Sequence, residues 1–379
     1  MKVLISSYVH WWNAEAAYAA ALAQTLRDAG HQVRVLTQPG TRNAQHLEAL
    51  GLPVDTSIPL HSGNPLRLAA AVLALRRMQA REGIEIVNVF RSRELPLHLL
   101  AAWGARGLAV VRTRGNARPV RRHVLNRLSH GRWCGAVITS AEVLRRALLH
   151  DLGVAPERVR TIYYPADAAP PPAPEARRAA RAALLAELGL DESALLIGLV
   201  GRVAREKGHR VLVRALARIV RDLPRAVLLI VAKGYPGEVA EREAVTRLVA
   251  ELGLAPHVRW LGFREDIARV MQAMDVGAIP SLSSELNCRV AVEFFAAGVP
   301  VVAGPTGALG EVVRHDHSGW LAAGHSPEAL AEALAAVLGD PVRRARLAAG
   351  ARSEAAGRFS RANFLHATLE VYAQALARG

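Results

Sequence analysis

The sequence predicts an α/β protein built from two doubly wound parallel-sheet domains. Three observations carry that expectation. Strand-like apolar runs alternate with helical stretches in both halves, a proline- and alanine-rich segment interrupts the alternation, and 379 residues are too many for one small core. Hydrophobic residues make up 51% of the chain and aromatics only 5%, so the cores must consist mainly of Leu, Val, Ala and Ile.

The alternation begins with "KVLISS", a strand, and "AEAAYAAALAQTLRDAG", a helix that Asn13 can cap and Gly30 can end. "HQVRVLT" is the next strand. "NPLRLAAAVLALRRMQAREG" then offers Asn64 as N-cap and Pro65 at the first helical position, before the strand "IEIVNVF". Strand and helix repeating in this order argue for a parallel sheet covered on both faces. "YYPADAAPPPAPEARRAARA", from Tyr163 to Ala182, breaks the pattern. Beyond it "ALLIGLVGR", "AVLLIVA", "HVRWLGF" and "VGAIPS" restart it. The expected division is residues 1–165, a linker over 166–192, and a second domain from 193. Two such domains facing each other make a cleft, and open α/β sheets bind ligands at the C-terminal ends of their strands.

Cys134 and Cys288 are the only cysteines and stand in no metal-ligand spacing, which argues against a disulfide framework or a zinc site. Ser6, Ser7 and His10 interrupt the N-terminal apolar stretch, and no run approaches the roughly 20 apolar residues that span a bilayer. The expected location is cytoplasmic, with attachment to the inner membrane surface as an extension. The formal charge is +15, and apart from Lys2, Lys207 and Lys233 every cation is arginine. An arginine-preferring codon usage explains this as well as an anionic partner does.

"LIGLVGRVAREKGHRVLVRAL" places Gly201 and Gly208 around a strand-to-helix loop that holds Arg202, Arg205 and Lys207. Free N–H groups of a helix start and nearby cations suit an anion, although the order is not that of a P-loop. "SLSSELNCRVAVEFFAAGVPVVAG" then reads as a loop, a short helix starting near Asn287 or Cys288 and stopping at Gly298, and a strand. Glu285 falls just before the first turn and Glu293 near the helix middle. A ligand along this turn would meet one glutamate at each end, though a glutamate pair at this spacing also arises by chance.

The ordered set "GRVAREKG", "WLGFREDIARVMQAMDVGAIPS", the glutamate pair, "AAGVPVVAGPTGALGEVV" and "SGWL" resembles glycosyltransferase family 4, the retaining, nucleotide-sugar-dependent enzymes of GT-B fold. The likeness continues more weakly through "GAVITSAEVLRRALLHDLGVAPERVRTIYYP". "RFSRANFLHATLEVYAQAL" looks like the family's last helix, over about 359–379, which crosses back to the N-terminal domain. The resemblance implies an N-terminal acceptor domain and a donor domain over 193–358. In that domain Arg202 and Lys207 would hold the diphosphate after Gly201. Glu285 would contact the donor sugar and Glu293 the ribose, so that Glu285, Arg202 and Lys207 form the catalytic set. Backbone amides of Leu286, Asn287 and Cys288 would complete the phosphate site. Phe263, Arg264, Ile279 and Ser281 would flank the base. Asp-x-Asp is absent, so no metal and no cofactor is expected, the two cations doing that electrostatic work. The implied reaction moves a hexose from a nucleotide-diphosphate sugar to a saccharide or lipid-linked acceptor, in the synthesis of a cell-envelope glycoconjugate such as lipopolysaccharide.

The chain departs from the family where a Gly-Gly loop usually follows the first strand; here the loop is "YVHWWNAEAAY". Acceptor-side candidates are His10, Trp11, Asn13, Arg91, Arg93, Arg114 and Asn116. Trp11 and Trp12 read equally as a stacking platform or as packing. From Leu95 to Ala141 there is no acidic residue, and "ARPVRRHVLNRLSHGRW" reads as a basic helix with Val120, Val124, Leu125 and Leu128 on an apolar stripe. An anionic membrane surface or a phosphorylated saccharide would fit it, and so would plain solvation. Two rival readings are a catalytically idle nucleotide-binding scaffold and a sugar-nucleotide epimerase of the same fold. Nucleic acid is not an expected partner, since no recognition motif accompanies the charge.

Overall fold

The computed structural model describes residues 1–116, 118, 120–166, 173–283 and 285–378. The chain divides into two compact units, Met1–Tyr164 with Arg361–Gly379, and Pro165–Ser360.

Unit 1 is a seven-stranded parallel sheet in the order β3-β2-β1-β4-β5-β6-β7. The strands are β1 Lys2–Ser6, β2 Gln32–Leu36, β3 Val54–Asp55, β4 Ile86–Val89, β5 Ala109–Arg114, β6 Ala136–Thr139 and β7 Val159–Thr161. Helices α1 Ala14–Asp28, α2 Arg42–Ala49, α3 Pro65–Glu82, α4 Leu95–Ala102, α5 Val124–Leu128 and α6 Glu142–Leu152 connect them. The capping signals act as the sequence indicates. Asn13 accepts a hydrogen bond from the Ala16 N–H at 2.9 Å, and Asn64 accepts from the Leu66 N–H at 2.9 Å with Pro65 opening the helix. Val3, Ile5, Ile86 and Val111 are buried in one apolar cluster, and Leu4, Val87, Val89 and Val110 in another, so both faces of the sheet are covered.

The basic segment differs from the expected helix. Residues 117 and 119 lie outside the described residues, and the α-helix is only Val124–Leu128, followed by a π-helical turn over Ser129–Trp133. The helix starts late because the His123 ring accepts from the Asn126 N–H at 3.3 Å, which sets the N-cap there. Val120 packs towards Val137 and Leu148, while Val124 and Leu125 are exposed, so the four apolar residues form no single stripe.

Unit 2 is a six-stranded parallel sheet in the order β10-β9-β8-β11-β12-β13. Its strands are β8 Leu195–Val200, β9 Ala226–Val231, β10 Val258–Gly262, β11 Val276–Ile279, β12 Val301–Ala303 and β13 Gly319–Leu321. Its helices are α7 Pro174–Leu188, α8 His209–Asp222, α9 Val239–Glu251, α10 Ile267–Gln272, α11 Arg289–Ala296, α12 Leu309–Val312, α13 Pro327–Leu338 and α14 Pro341–Ala356. Of the span 166–192, residues 167–172 lie outside the described residues. Residues from 174 form α7, which buries Leu184 and Leu185 and whose Arg177 and Arg181 donate to the carbonyls of Gln272 and Ala273. The last helix, α15 Arg361–Ala377, belongs to unit 1, where Tyr372 is fully buried and its hydroxyl accepts from the Asn88 amide at 2.7 Å.

Candidate functional site

In each sheet the strand order reverses once beside the first strand, between β1 and β4 and between β8 and β11. Loops leaving the strand ends at such a point diverge and leave room for a ligand.

In unit 2 two loops meet there. Residues 201–208 leave β8, and residues 280–288 leave β11. They are stitched by the Leu282 N–H donating to the Glu206 carbonyl at 2.8 Å. Gly208 lies so close to the second loop that a Cβ there would sit 2.1 Å from the Pro280 oxygen, and its φ of +73° is left-handed. The Lys207 ammonium donates to Glu285 Oε1, which also accepts from the Ser281 hydroxyl at 2.8 Å. Glu285 is mostly buried, and its backbone carbonyl accepts from the Ala308 N–H at 2.6 Å. That close packing requires Gly307, whose Cβ would fall 2.1 Å from the same carbonyl oxygen.

The turn into α11 presents the N–H groups of Leu286, Asn287 and Cys288, which donate to no described backbone carbonyl outside regular helices and strands. Cys288 takes a left-handed φ of +44° at the N-cap, and Asn287 Oδ1 is buried with no hydrogen-bond partner among the described residues. Burial and the nearby Glu285 push the Cys288 thiol pKa well up. Free N–H groups beside a lysine suit an anion. Arg202 is exposed and pairs with Glu206 at 3.1 Å. Glu293 lies one turn and more along α11, half-buried, with Arg289 Nε at 3.0 Å.

The other candidates on this side are placed less uniformly. Ile279 ends β11 and is buried, as is Ser281. Phe263 is exposed, with the Lys233 ammonium 4.9 Å over its ring. Arg264 is held by Asp266 at 2.7 Å and Glu187 at 2.5 Å, two carboxylates that push its guanidinium pKa up. The sequence reading did not foresee the Lys207–Glu285 pair. Nor did it foresee His209, which follows Gly208 and is buried, so that its imidazole pKa falls to about 4.

In unit 1 the loop after β1 carries exposed His10 and Trp11, with the Arg42 guanidinium 5.5 Å over the Trp11 ring. Trp12 stacks on His46 with centroids 4.6 Å apart. Asn13 is occupied as a helix cap. Arg91, after β4, lies 3.3 Å from Glu15 in the first turn of α1, while Arg93 is exposed and Asn116 half-buried. Arg114 is buried at the end of β5. Sequence reasoning missed the buried Glu94, whose carboxylate meets His61 and whose pKa burial raises. A glutamate at the start of "ELPLHLLAAW" reads as a solvated helix end, so no sequence signal marked it.

Comparison with known proteins agrees with this layout. A family model described as Glycosyl transferases group 1 matches residues 181–354, and one described as Glycosyltransferase Family 4 matches residues 16–169. A D-inositol 3-phosphate glycosyltransferase of Nocardia farcinica is 39% identical over 200 residues, which is 52% of this chain and 44% of the relative. The chain spans about half the length of the curated relatives it matches. Among solved structures, a glycosyltransferase from Rickettsia africae superposes with a TM-score of 0.85 at 18% identity, covering 99% of this chain and 98% of its own. Anabaena HepE in complex with UDP superposes with a TM-score of 0.83 at 22% identity, covering 98% of this chain and all of its own, 100%. These likenesses show the GT-B fold.

Proposed function

The chain belongs to glycosyltransferase family 4, and on that premise we propose that it moves a hexose from a nucleotide-diphosphate sugar to a hydroxyl acceptor. The observation that carries this reading is the junction of the two unit-2 loops. Lys207, Glu285 and the N–H groups of residues 286–288 converge at the strand-order reversal. A diphosphate there would take over Lys207 and the three N–H groups, with Arg202 reaching it from the loop's rim. Freed from Lys207, the Glu285 carboxylate would accept from donor-sugar hydroxyls, and Glu293 from the ribose. Gly201 would let the backbone approach, and Phe263, Arg264, Ile279 and Ser281 would border the base. Binding of UDP by the structural neighbour supports a nucleotide donor.

Transfer would proceed with retention, by front-face substitution in which the departing phosphate oxygen takes the acceptor proton. Lys207 and Arg202 would stabilise that leaving group without a metal. The acceptor would lie on unit 1, near His10, Trp11, Asn13, Arg91, Arg93, Arg114 and Asn116. The named activity of the curated relatives favours a small phosphorylated polyol. A second reading, transfer to a lipid-linked acceptor of the cell envelope at the inner membrane surface, is favoured by exposed Leu100, Trp103, Val124, Leu125 and Trp133 beside Arg121, Arg122 and Arg127. Among the described residues no helix is long and apolar enough to cross a membrane, so that reading requires surface attachment.

The deciding experiment follows release and transfer of labelled sugar from UDP-, GDP- and ADP-sugars in excess chelator. Turnover with one base, retained in chelator, is expected. Binding without turnover would favour the idle scaffold, and a strict need for magnesium or manganese would refute the two-cation account.

A further inference from the structure

At the edge of the unit-2 sheet where the strands begin, away from the loops that leave β8 and β11, lies a cavity of 340 Å³. That volume is within the range of small-ligand sites. Buried Leu195 and Leu338 give it an apolar floor, and Arg181, Arg225, Arg344, Asp275 and Glu192 give it a charged lining. Asp275, just before β11, is fully used. One of its oxygens accepts from the Leu196 N–H at 2.8 Å and from Arg181 at 3.0 Å, and the other faces Arg344 Nε at 3.5 Å. Arg181 is used as well, since it also donates to the Ala273 carbonyl at 2.9 Å and to the Ala194 carbonyl.

Two guanidiniums keep donors to spare. Arg344 gives one terminal nitrogen to the Leu338 carbonyl at 2.8 Å, and its second has no bond among the described residues. The Arg225 side chain, just before β9, has neither hydrogen bond nor ion pair among the described residues. The surrounding charge favours an anion. Burial, together with Arg352, Arg181 and Arg344, holds the Arg177 guanidinium below its usual pKa against the pull of Asp275. The other carboxylates at this end are committed: Asp191 accepts from the Ser193 N–H at 2.8 Å, and Asp340 caps α14 through the Arg343 N–H at 2.9 Å. Glu192 is exposed at the rim. With Arg343 included, arginines outnumber these carboxylates. Guanidinium forks hold oxyanions by parallel, charge-assisted hydrogen bonds.

The lining helices also have a particular place in the chain. Among the described residues α7, with Arg181, is the first helix of unit 2 and α14, with Arg344, the last, so they adjoin both points where the chain passes between the units. A ligand held by Arg225 and Arg344 would tie the start of β9 to α14 and, through Asp275, to α7.

We propose that this cavity is a second anion site of unit 2, taking a small oxyanion, with Arg225 and Arg344 contacting it and Asp275 acting as the positioning group for Arg344. The site is separate from the donor loops and does not rest on the transferase reading.

The test follows the thermal unfolding of the full chain at constant ionic strength in chloride, titrated with inorganic phosphate or with citrate. Apparent Kd comes from the concentration dependence of Tm. Saturable stabilisation by at least one of the two is expected, and the tighter one tells whether the ligand carries phosphate or carboxylate oxygens. Arg225→Gln removes one charge-assisted fork and should weaken binding about tenfold. Glu192→Gln, which removes the repelling carboxylate at the rim, should tighten it several-fold, and Lys207→Ala in the donor loop should leave it unchanged. Arg225 and Glu192 are both exposed, so the two variants keep their cores intact. Hydrogen exchange with the anion bound should slow in α7 and in the first turns of α14. Three results would each overturn the proposal: no saturable response to either anion, a response unchanged in both Arg225→Gln and Glu192→Gln, or protection confined to the loops after β8 and β11. Nucleotide stabilisation that persists in Arg225→Gln keeps the donor reading standing whichever way the anion result falls.

Discussion

The two strand-order reversals solve the same electrostatic problem differently. In unit 2 the cation at the loop junction, Lys207, already has a carboxylate partner in Glu285, and Ser281 shares the load. In unit 1 Arg112 and Arg114 are more deeply buried, and their hydrogen bonds among the described residues go to carbonyl and hydroxyl oxygens, with carboxylates acting on them only from beyond ion-pair distance. A paired site can stand empty at little cost and exchange its internal partner for a ligand. A site held by neutral oxygens keeps its charges at a standing cost. The lesson is that the conspicuous motif and the conspicuous energetic anomaly lie in different units.

The largest expected effect breaks the paired side. Lys207→Ala removes the proposed leaving-group cation and should lower turnover on the order of 10²–10³-fold, comparable to losing one oxyanion donor, measured in steady-state transfer assays. A loss below about tenfold would mean that Lys207 serves mainly to hold Glu285.

Acid should next separate the units. Burial lowers His98 to about 3 and His130 to about 4 in unit 1, and His209 to about 4 in unit 2. Each folded-state pKa lies below the unfolded value of about 6.5. The unfolded chain therefore binds protons first, and stability falls as pH drops from about 6.5 towards about 4. Between pH 7 and 5 each histidine should remove about 2 kcal/mol. Unit 1, with two of them, should lose hydrogen-exchange protection first; equal loss would contradict the burial of one of them.

Smaller, and informative through its sign, is Arg112→Met. Denaturant unfolding should shift by less than about 1 kcal/mol, because the desolvation cost of the buried charge offsets the hydrogen bonds it makes to neutral oxygens. A fall beyond about 3 kcal/mol would show that Arg112 is fully satisfied in the free protein. Arg202→Gln should shift unfolding least, by under about 1 kcal/mol, since its exposed pair with Glu206 is weak.

Much of the fold was legible because caps and breaks stand in the sequence itself. Asn13, Asn64 and Gly298 mark helix ends, and apolar runs such as "AVLLIV" mark strands buried on both faces. Within 120–133 the expected helix was misjudged because a run of arginines is compatible with helix, while the cap at His123 depends on local geometry. The strand "AVVRTR" hid its most unusual feature. Alternating arginines suggest a solvated face, yet this strand is central, and helices cover both sides. Burial of Glu94 and His209 depends on tertiary packing, to which single-sequence patterns are blind.

The most direct test of the central claim, a donor site at the β8–β11 junction, is calorimetric titration of UDP, GDP and ADP into the metal-free protein and into Lys207→Ala and Glu293→Ala. The account predicts saturable binding of one base, at least tenfold weaker in each variant. Binding unchanged in both variants, or absent for every nucleotide, would contradict it.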